Sequence, residues 1–163
     1  MLLTPPQIFF VCECVIERRR TMAEKPERYA FTVNSLLEFA DRPRSSKPRC
    51  KSGYDSDHIV ELQLVVAALN SLAKTIYSRK GWASELVDFF NEDANKMCIP
   101  QEDNRRWKRN AVAKLIRADE ELTPGELEWI RYIQYHWNGF RNDLDDHDFK
   151  LVKSSIDDIL PGA

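Results

Sequence analysis

The chain has 163 residues, of which 43% are apolar and 31% charged, and its formal net charge is −2. This composition is typical of a soluble globule and predicts a single domain over residues 1–163. It excludes a general electrostatic attraction to nucleic acid, and no apolar run approaches the roughly 18 residues that span a bilayer. The four cysteines lack C-x-x-C spacing, so a structural zinc site is not expected.

The first predicted elements are strands. Residues 7–16 are rich in β-branched and aromatic types, which predicts a buried strand, and residues 28–33 are its expected partner. No basic residue precedes the apolar N-terminal stretch, so it is interpreted as part of the fold rather than as an export signal. An intracellular, reducing setting is the resulting default, with a Cys50–Cys98 disulfide left open.

Helical patterns dominate the rest of the chain. A short helix near residues 36–40 is expected to be capped by Asn34 or Ser35, and residues 42–53 form a loop. A long helix is predicted from Ile59 to about residue 80, because apolar residues recur at spacings of three and four. Its predicted face consists of Ile59, Leu62, Val66, Leu69, Ala73 and Ile76.

Three further helical regions follow. Residues 83–90 and 107–117 are predicted helices, and Thr123-Pro124-Gly125-Glu126 is a capping box that begins a C-terminal helical pair, about 123–160. The predicted fold class is therefore mainly α (α+β), a bundle-like domain with a small β element near the N-terminus.

Charge is unevenly distributed along the chain. Residues 42–51 contain five basic residues and no acid, and residues 105–117 contain six basic residues and no acid. Such segments predict a basic face that can meet phosphates, although a solvated charged surface explains them equally well. Trp107, within the second segment, is the best candidate in the chain for stacking on a base.

Two motifs occur in an informative order. "DHIVEL" places Asp57 directly before His58, and "ANKMCIPQEDNRRWK" follows with Asn95, Asn104 and Lys108. Together they resemble the HNH or His-Me finger nucleases, the ββα-metal superfamily. The resemblance covers about residues 48–118 and implies an atypical, helix-rich member with a degenerate ββα-metal-type core.

The resemblance implies a role for His58, and the chemistry of phosphodiester hydrolysis suggests roles for the other candidate residues. His58 is the expected general base, since a neutral imidazole accepts a proton near pH 7. Asp57 and Asn95 are the expected ligands of Mg²⁺ or Mn²⁺, with Asn95 also catalytic. The remaining assignments are phosphate binding by Arg105, Arg106, Lys108 and Arg109; orientation of the His58 ring by Glu61; substitution for Asn95 by Asn91; and bracing of the turn by Asn104.

The expected function is therefore metal-dependent endonuclease activity, the hydrolysis of phosphodiester bonds in DNA or RNA. The expected partner is nucleic acid and not a membrane, and an inhibitor or protein partner is left open. A ribonuclease toxin acting on structured RNA is one version. The alternative is a non-catalytic helical module whose basic face binds nucleic acid or an acidic protein, with Asp57 and His58 serving only as a helix entrance.

Overall fold

The computed structural model describes residues 25–40, 49–144 and 146–160, except for the side chains of residues 146 and 147. Two strands and seven α-helices are assigned within these ranges. In chain order they are α1 (Val33–Leu37), β1 (Tyr54–His58), α2 (Leu62–Ser71), α3 (Trp82–Phe90), β2 (Lys96–Pro100), α4 (Gln101–Asp103), α5 (Arg109–Arg117), α6 (Pro124–Phe140) and α7 (Asp146–Ile159), with a π-helical turn, Asn104–Lys108, joining α4 to α5.

The two strands form an antiparallel pair. Tyr54 is opposite Pro100 and His58 is opposite Lys96. Because side chains alternate along a strand, Ser56 and His58 point to one face of the sheet and Asp57 to the other. We call these the histidine face and the helix face, since Asp57 contacts the helical segment that follows β2. The order of these elements is β, β, α, with α2 and α3 inserted between the strands.

The core lies among the longer helices. Trp137 of α6 and Phe90 of α3 are fully buried, with ring centroids 6.0 Å apart. Helix α2 is largely apolar and packs against α7. Burial of these large side chains stabilises the fold by about 1.5–3 kcal/mol each. The helical core in turn supports the strand pair.

A disulfide joins Cys50 to Cys98, with the two Cα atoms 5.5 Å apart. Cys98 lies in β2 opposite Ser56 of β1, and Cys50 precedes β1. The bridge therefore ties β2 to the segment leading into β1 and holds the two strands in register.

Several predictions are confirmed. The fold is mainly α with a small sheet. Thr123 and Glu126 form the predicted capping box at the start of α6, and α3 covers the predicted residues 83–90. Within the described ranges, no helix combines the length and the apolar character required to cross a membrane.

The long predicted helix is wrong in its extent. Helix α2 ends at Ser71, and Leu72 has an extended backbone. Residues 27–31 run beside this point: Ala73 forms a bridge with Arg28, and the Lys74 N–H donates to the Glu27 carbonyl at 2.7 Å. Tertiary pairing thus overrides the helical pattern beyond Ser71.

The β elements also differ from the prediction. Residues 28–33 contribute only the isolated bridge at Arg28, and the short helix that follows begins after Thr32, not after Asn34 or Ser35. The predicted strand at residues 7–16 lies outside the described residues. The strand pair that exists contains Asp57 and His58, which were expected at a helix start.

Candidate active site on the histidine face

His58 lies at the last position of β1 and lines a cleft of about 350 Å³. Ser56 and Lys96 line the same cleft from the histidine face, Asn91 enters from the end of α3, and Arg109 enters from the start of α5. Polar side chains of several elements thus converge on one imidazole.

The His58 ring is held by Asn91. The distance from His58 Nε2 to Asn91 Oδ1 is 2.8 Å. Because an amide oxygen only accepts hydrogen bonds, Nε2 carries the hydrogen and Nδ1 of the neutral ring carries the free lone pair. Burial lowers the pKa of His58 below its usual value, against the opposing effects of the Asn91 hydrogen bond and the Asp57 carboxylate. A neutral imidazole at pH 7 follows.

Asp57 is held on the opposite side of the same strand. Its Oδ1 accepts from the backbone N–H of His58 at 3.0 Å, and its Oδ2 lies 3.2 Å from Nζ of Lys108. The Lys108 ammonium also donates to Glu61 and to the His58 carbonyl, each at 2.5 Å. Lys108 is fully buried, so this cluster is a structural connection between β1, the start of α2 and the π-helical turn.

This placement corrects two sequence assignments. Lys108 was predicted to hold phosphates, but its ammonium is enclosed by three oxygens and reaches no solvent. Glu61 was predicted to orient the His58 ring, but it contacts Lys108, and Asn91 orients the ring instead. Burial raises the pKa of Glu61, which the Lys108 ammonium opposes.

Asn95 has a different position from the one predicted. It is fully buried; its Oδ1 accepts from the Val60 N–H at 2.8 Å, and its Nδ2 donates to the carbonyls of Val60 and Phe90. Its carboxamide is used entirely by the backbone around the end of β1. Asn95 therefore braces the strand pair and is not placed to act as a metal ligand or a catalytic group.

Asn104, predicted to brace the turn, has an incompletely used side chain. It is 1% exposed, and its Nδ2 lies at the long distance of 3.4 Å from Asp55 Oδ2. Its Oδ1 is buried and has no hydrogen-bond partner among the described residues. The π-helical turn places Asn104 and Lys108 together against Asp55 and Asp57, and such turns are frequent at functional sites. Asn95 thus makes the bracing contacts that were expected of Asn104.

The three arginines that were predicted to bind phosphate remain accessible. The side chains of Arg105 and Arg106 are 66% and 65% exposed, and Arg109 is exposed at the cleft that contains His58. Asp55 and Glu102 lie 3.9 and 3.6 Å from the first two, respectively, which is a weak interaction for exposed groups. All three guanidinium groups can therefore meet an external anion.

Lys96 is a site residue that the sequence interpretation missed. It is opposite His58 in the strand pair, and it lines the cleft. Lys96 lies close to His58 because of the register of β1 and β2, and 37 residues separate these two strands in the chain. The only indication in the sequence was that Lys96 directly follows Asn95, which had been predicted to be a site residue.

Comparison with protein-family models, curated proteins and solved structures gave no match of this chain to any of them. The function is therefore argued from the geometry of the cleft.

Proposed function

We propose that this chain is a nuclease that hydrolyses phosphodiester bonds with His58 as the general base. The observation that carries the proposal is the His58 imidazole in its cleft, with one nitrogen fixed by Asn91 and its pKa lowered by burial. Lys96 and Arg109 supply positive charge at the same cleft. Asp57 and Glu61 also line this cleft, but their carboxylates are paired with the buried Lys108 ammonium. A neutral base beside Lys96 and Arg109 suits an attack by water on an anionic phosphodiester.

The proposed step needs one proton acceptor. Nδ1 of His58 takes a proton from the attacking water, while the hydrogen on Nε2 stays in the bond to Asn91. The water oxygen bonds to phosphorus as the bond from phosphorus to the leaving oxygen breaks, and the leaving oxygen takes a proton from solvent water. The resulting imidazolium is stabilised by the nearby Asp57 carboxylate, which already favours the protonated ring. Lys96 and Arg109 bind the phosphate oxygens and hold the phosphorus near the activated water.

Asp57 and Asn104 offer a poor site for the predicted Mg²⁺ or Mn²⁺. Both oxygens of Asp57 are already bonded, Oδ1 to the His58 N–H and Oδ2 to the Lys108 ammonium. The buried Asn104 Oδ1 has no partner among the described residues, but Asn104 is 1% exposed, contacts Asp55 and does not line the cleft of His58. No group of three or more His, Cys, Asp or Glu in the described ranges is arranged to hold a metal, and the proposed step is not routed through one.

The test is cleavage of plasmid DNA and of total RNA by the purified chain, with Mg²⁺, Mn²⁺ or EDTA. His58→Ala is expected to reduce cleavage at least about 100-fold, because general base catalysis contributes about 10²–10⁴-fold. The matched control is His136→Ala, since His136 stacks on Phe140 of α6 and does not line the cleft. Cleavage by the His58→Ala protein at the wild-type rate would contradict the proposal.

The second candidate function is non-catalytic binding of nucleic acid. The exposed Arg105, Arg106 and Arg109 favour it, because they could hold phosphates without any contribution from His58. It predicts salt-sensitive binding without cleavage in every metal condition, and equal affinity for wild type and His58→Ala. Binding by gel shift beside the cleavage assay separates the two functions.

We further propose that the chain works in an oxidising compartment. Disulfides form and persist in oxidising settings and are rare where glutathione and thioredoxin keep thiols reduced. The Cys50–Cys98 bridge therefore counts against the intracellular setting expected by default. Alkylation of free thiols in the protein isolated from its native source, followed by mass spectrometry, measures the fraction that is bridged.

A further inference from the structure

A second cleft, of about 550 Å³, lies between the strand pair and α6, and we call it the aromatic cleft. Met97 of β2, Trp107 of the π-helical turn, and Trp129 and Tyr132 of α6 supply its apolar surface. Trp107 packs closely enough on Gly125 that a Cβ there would lie 3.7 Å from the indole ring. The aromatic rings are therefore held by both helical segments.

Two carboxylates border these rings. Asp103 and Glu128 line the aromatic cleft, and neither forms an ion pair with any residue in the described ranges. An ionised carboxylate only accepts hydrogen bonds, so the ligand must bring N–H or O–H donors. The flat aromatic rings favour a planar ligand that can stack on them.

The charge around the aromatic cleft distinguishes between two classes of ligand, a basic peptide and a nucleotide. Arg105 and Arg106 are exposed beside Trp107, and Arg106 already lies over the Trp107 ring at 5.0 Å. These cations repel a basic peptide and attract a phosphate. A nucleotide satisfies both requirements, because its base is planar with N–H donors and its phosphate is anionic.

Guanine has the best match to these acceptors. It presents the N1–H and N2–H groups side by side, so a single carboxylate can accept both bonds, whereas cytosine and adenine each present one exocyclic amino group to such an acceptor. Asp103 or Glu128 beside Trp129 provides this combination of acceptor and stacking surface.

The position of the aromatic cleft fits a substrate-binding role. Lys96 lines the cleft of His58 and the next residue, Met97, lines the aromatic cleft. Likewise, Trp107 lines the aromatic cleft and Arg109 lines the cleft of His58. Because neighbouring side chains of a strand point to opposite faces, the aromatic cleft lies on the helix face of β2 and the His58 cleft on the histidine face, so a flexible single strand that contacts both must pass around the strand pair.

We propose that the aromatic cleft binds an unpaired guanine base of the nucleic acid that the His58 cleft cleaves. The substrate class is then single-stranded nucleic acid, and cleavage occurs near guanine. The inference rests on the proposed nuclease function for its biological purpose, but base binding itself does not require His58.

The experiment titrates wild-type protein with GMP, AMP, CMP and UMP and follows tryptophan fluorescence and calorimetric heat. GMP is expected to bind at least about 10-fold more tightly than the other three, and Glu128→Gln or Asp103→Asn is expected to remove that preference. Trp129→Ala is expected to weaken all four. The control is Tyr135→Ala, since Tyr135 is 82% exposed on α6 and does not line the cleft.

The same titration with His58→Ala separates this inference from the nuclease proposal. GMP binding retained in that variant, with cleavage lost, supports both. GMP binding in a wild-type chain that cuts nothing supports the base pocket alone. Equal affinity for all four nucleotides, no binding of any of them, or tighter binding of an arginine-rich peptide would each overturn the guanine assignment.

Discussion

The two faces of strand β1 make different contacts. On the histidine face, His58 lines an open cleft and is held by one contact to Asn91. On the helix face, Asp57 is tied to a fully buried Lys108 that also holds Glu61. Asp57 and Glu61 line the same cleft as His58, so the contrast lies in the contacts and not in the exposure of these side chains. In the proposed function, His58 serves the chemistry and Asp57, its neighbour in the chain, serves the structure.

The largest expected effect concerns the buried ammonium. Lys108→Met leaves Asp57 and Glu61 together without a counter-charge, and loss of one partner of a buried ion pair costs about 3–5 kcal/mol. The free energy of unfolding, measured by urea denaturation, is expected to fall by that amount.

A double variant sharpens this result. Lys108→Met combined with Glu61→Gln removes one negative charge as well, so it is expected to be more stable than Lys108→Met alone. If Lys108→Met proves neutral, the helix face is not held by this cluster and the contrast between the two faces is lost.

The disulfide has the next largest effect. In the chain-entropy model, closing a loop with the 48-residue separation of Cys50 and Cys98 stabilises the fold by about 4 kcal/mol, and measured values commonly fall at 2–4 kcal/mol. The Cys50→Ser, Cys98→Ser double variant should therefore unfold at lower urea concentration. Adding reductant to wild type should give the same midpoint as the variant, and an unchanged midpoint in both would exclude a bridge that stabilises the strand pair.

Two asparagines allow a matched comparison of a contact that braces the backbone with a contact to the proposed base. Asn95→Ala leaves backbone groups of Val60 and Phe90 unpaired and is expected to cost about 2–4 kcal/mol of unfolding free energy. Asn91→Ala is expected to cost less than about 1.5 kcal/mol and to lower the cleavage rate instead. Urea denaturation and single-turnover cleavage of both variants test this separation, which fails if Asn95→Ala is the more stable of the two.

The same asparagines show what the sequence could and could not predict. The order of Asp57, His58, Asn95, Asn104 and Lys108 located the segments that meet, because these residue types recur at one compact site. The role of each asparagine depends on which of its side-chain atoms are hydrogen-bonded to the backbone. The contacts between β1 and β2 determine this. Asn95 was predicted to bind a metal, but its side chain is bonded to the backbone and makes the bracing contacts predicted for Asn104.

The boundaries of the helices were predicted with unequal accuracy, and the reason is physical. The capping box at Thr123 and Glu126 is a local signal, and the prediction there holds to the residue. The extension of α2 past Ser71 was a wrong prediction, because the pairing of Arg28 with Ala73 joins segments 45 residues apart in the chain, as their numbers show. The strands were missed for the same reason.

The smallest expected effect lies on the exposed surface. Arg105→Ala with Arg106→Ala should weaken nucleic-acid binding and reduce the slope of log affinity against log salt by about 1 for each lost phosphate contact. Arg117→Ala is the control, since Arg117 is in the same basic segment but lies 3.3 Å from Asp119 and 3.2 Å from Glu120. A slope unchanged from wild type in the double variant would mean that these arginines do not contact phosphate.

The pH dependence of single-turnover cleavage tests directly whether His58 is the general base. Because burial lowers the pKa of His58, the neutral, active ring persists below pH 6.5, and the rate is expected to fall only at more acidic pH. Asn91→Ala removes a hydrogen bond that raises the pKa of His58, so its acid limb is expected to move to still lower pH. An acid limb at or above pH 6.5, or one that is identical in the His58→Ala protein, would contradict the assignment of His58 as the base.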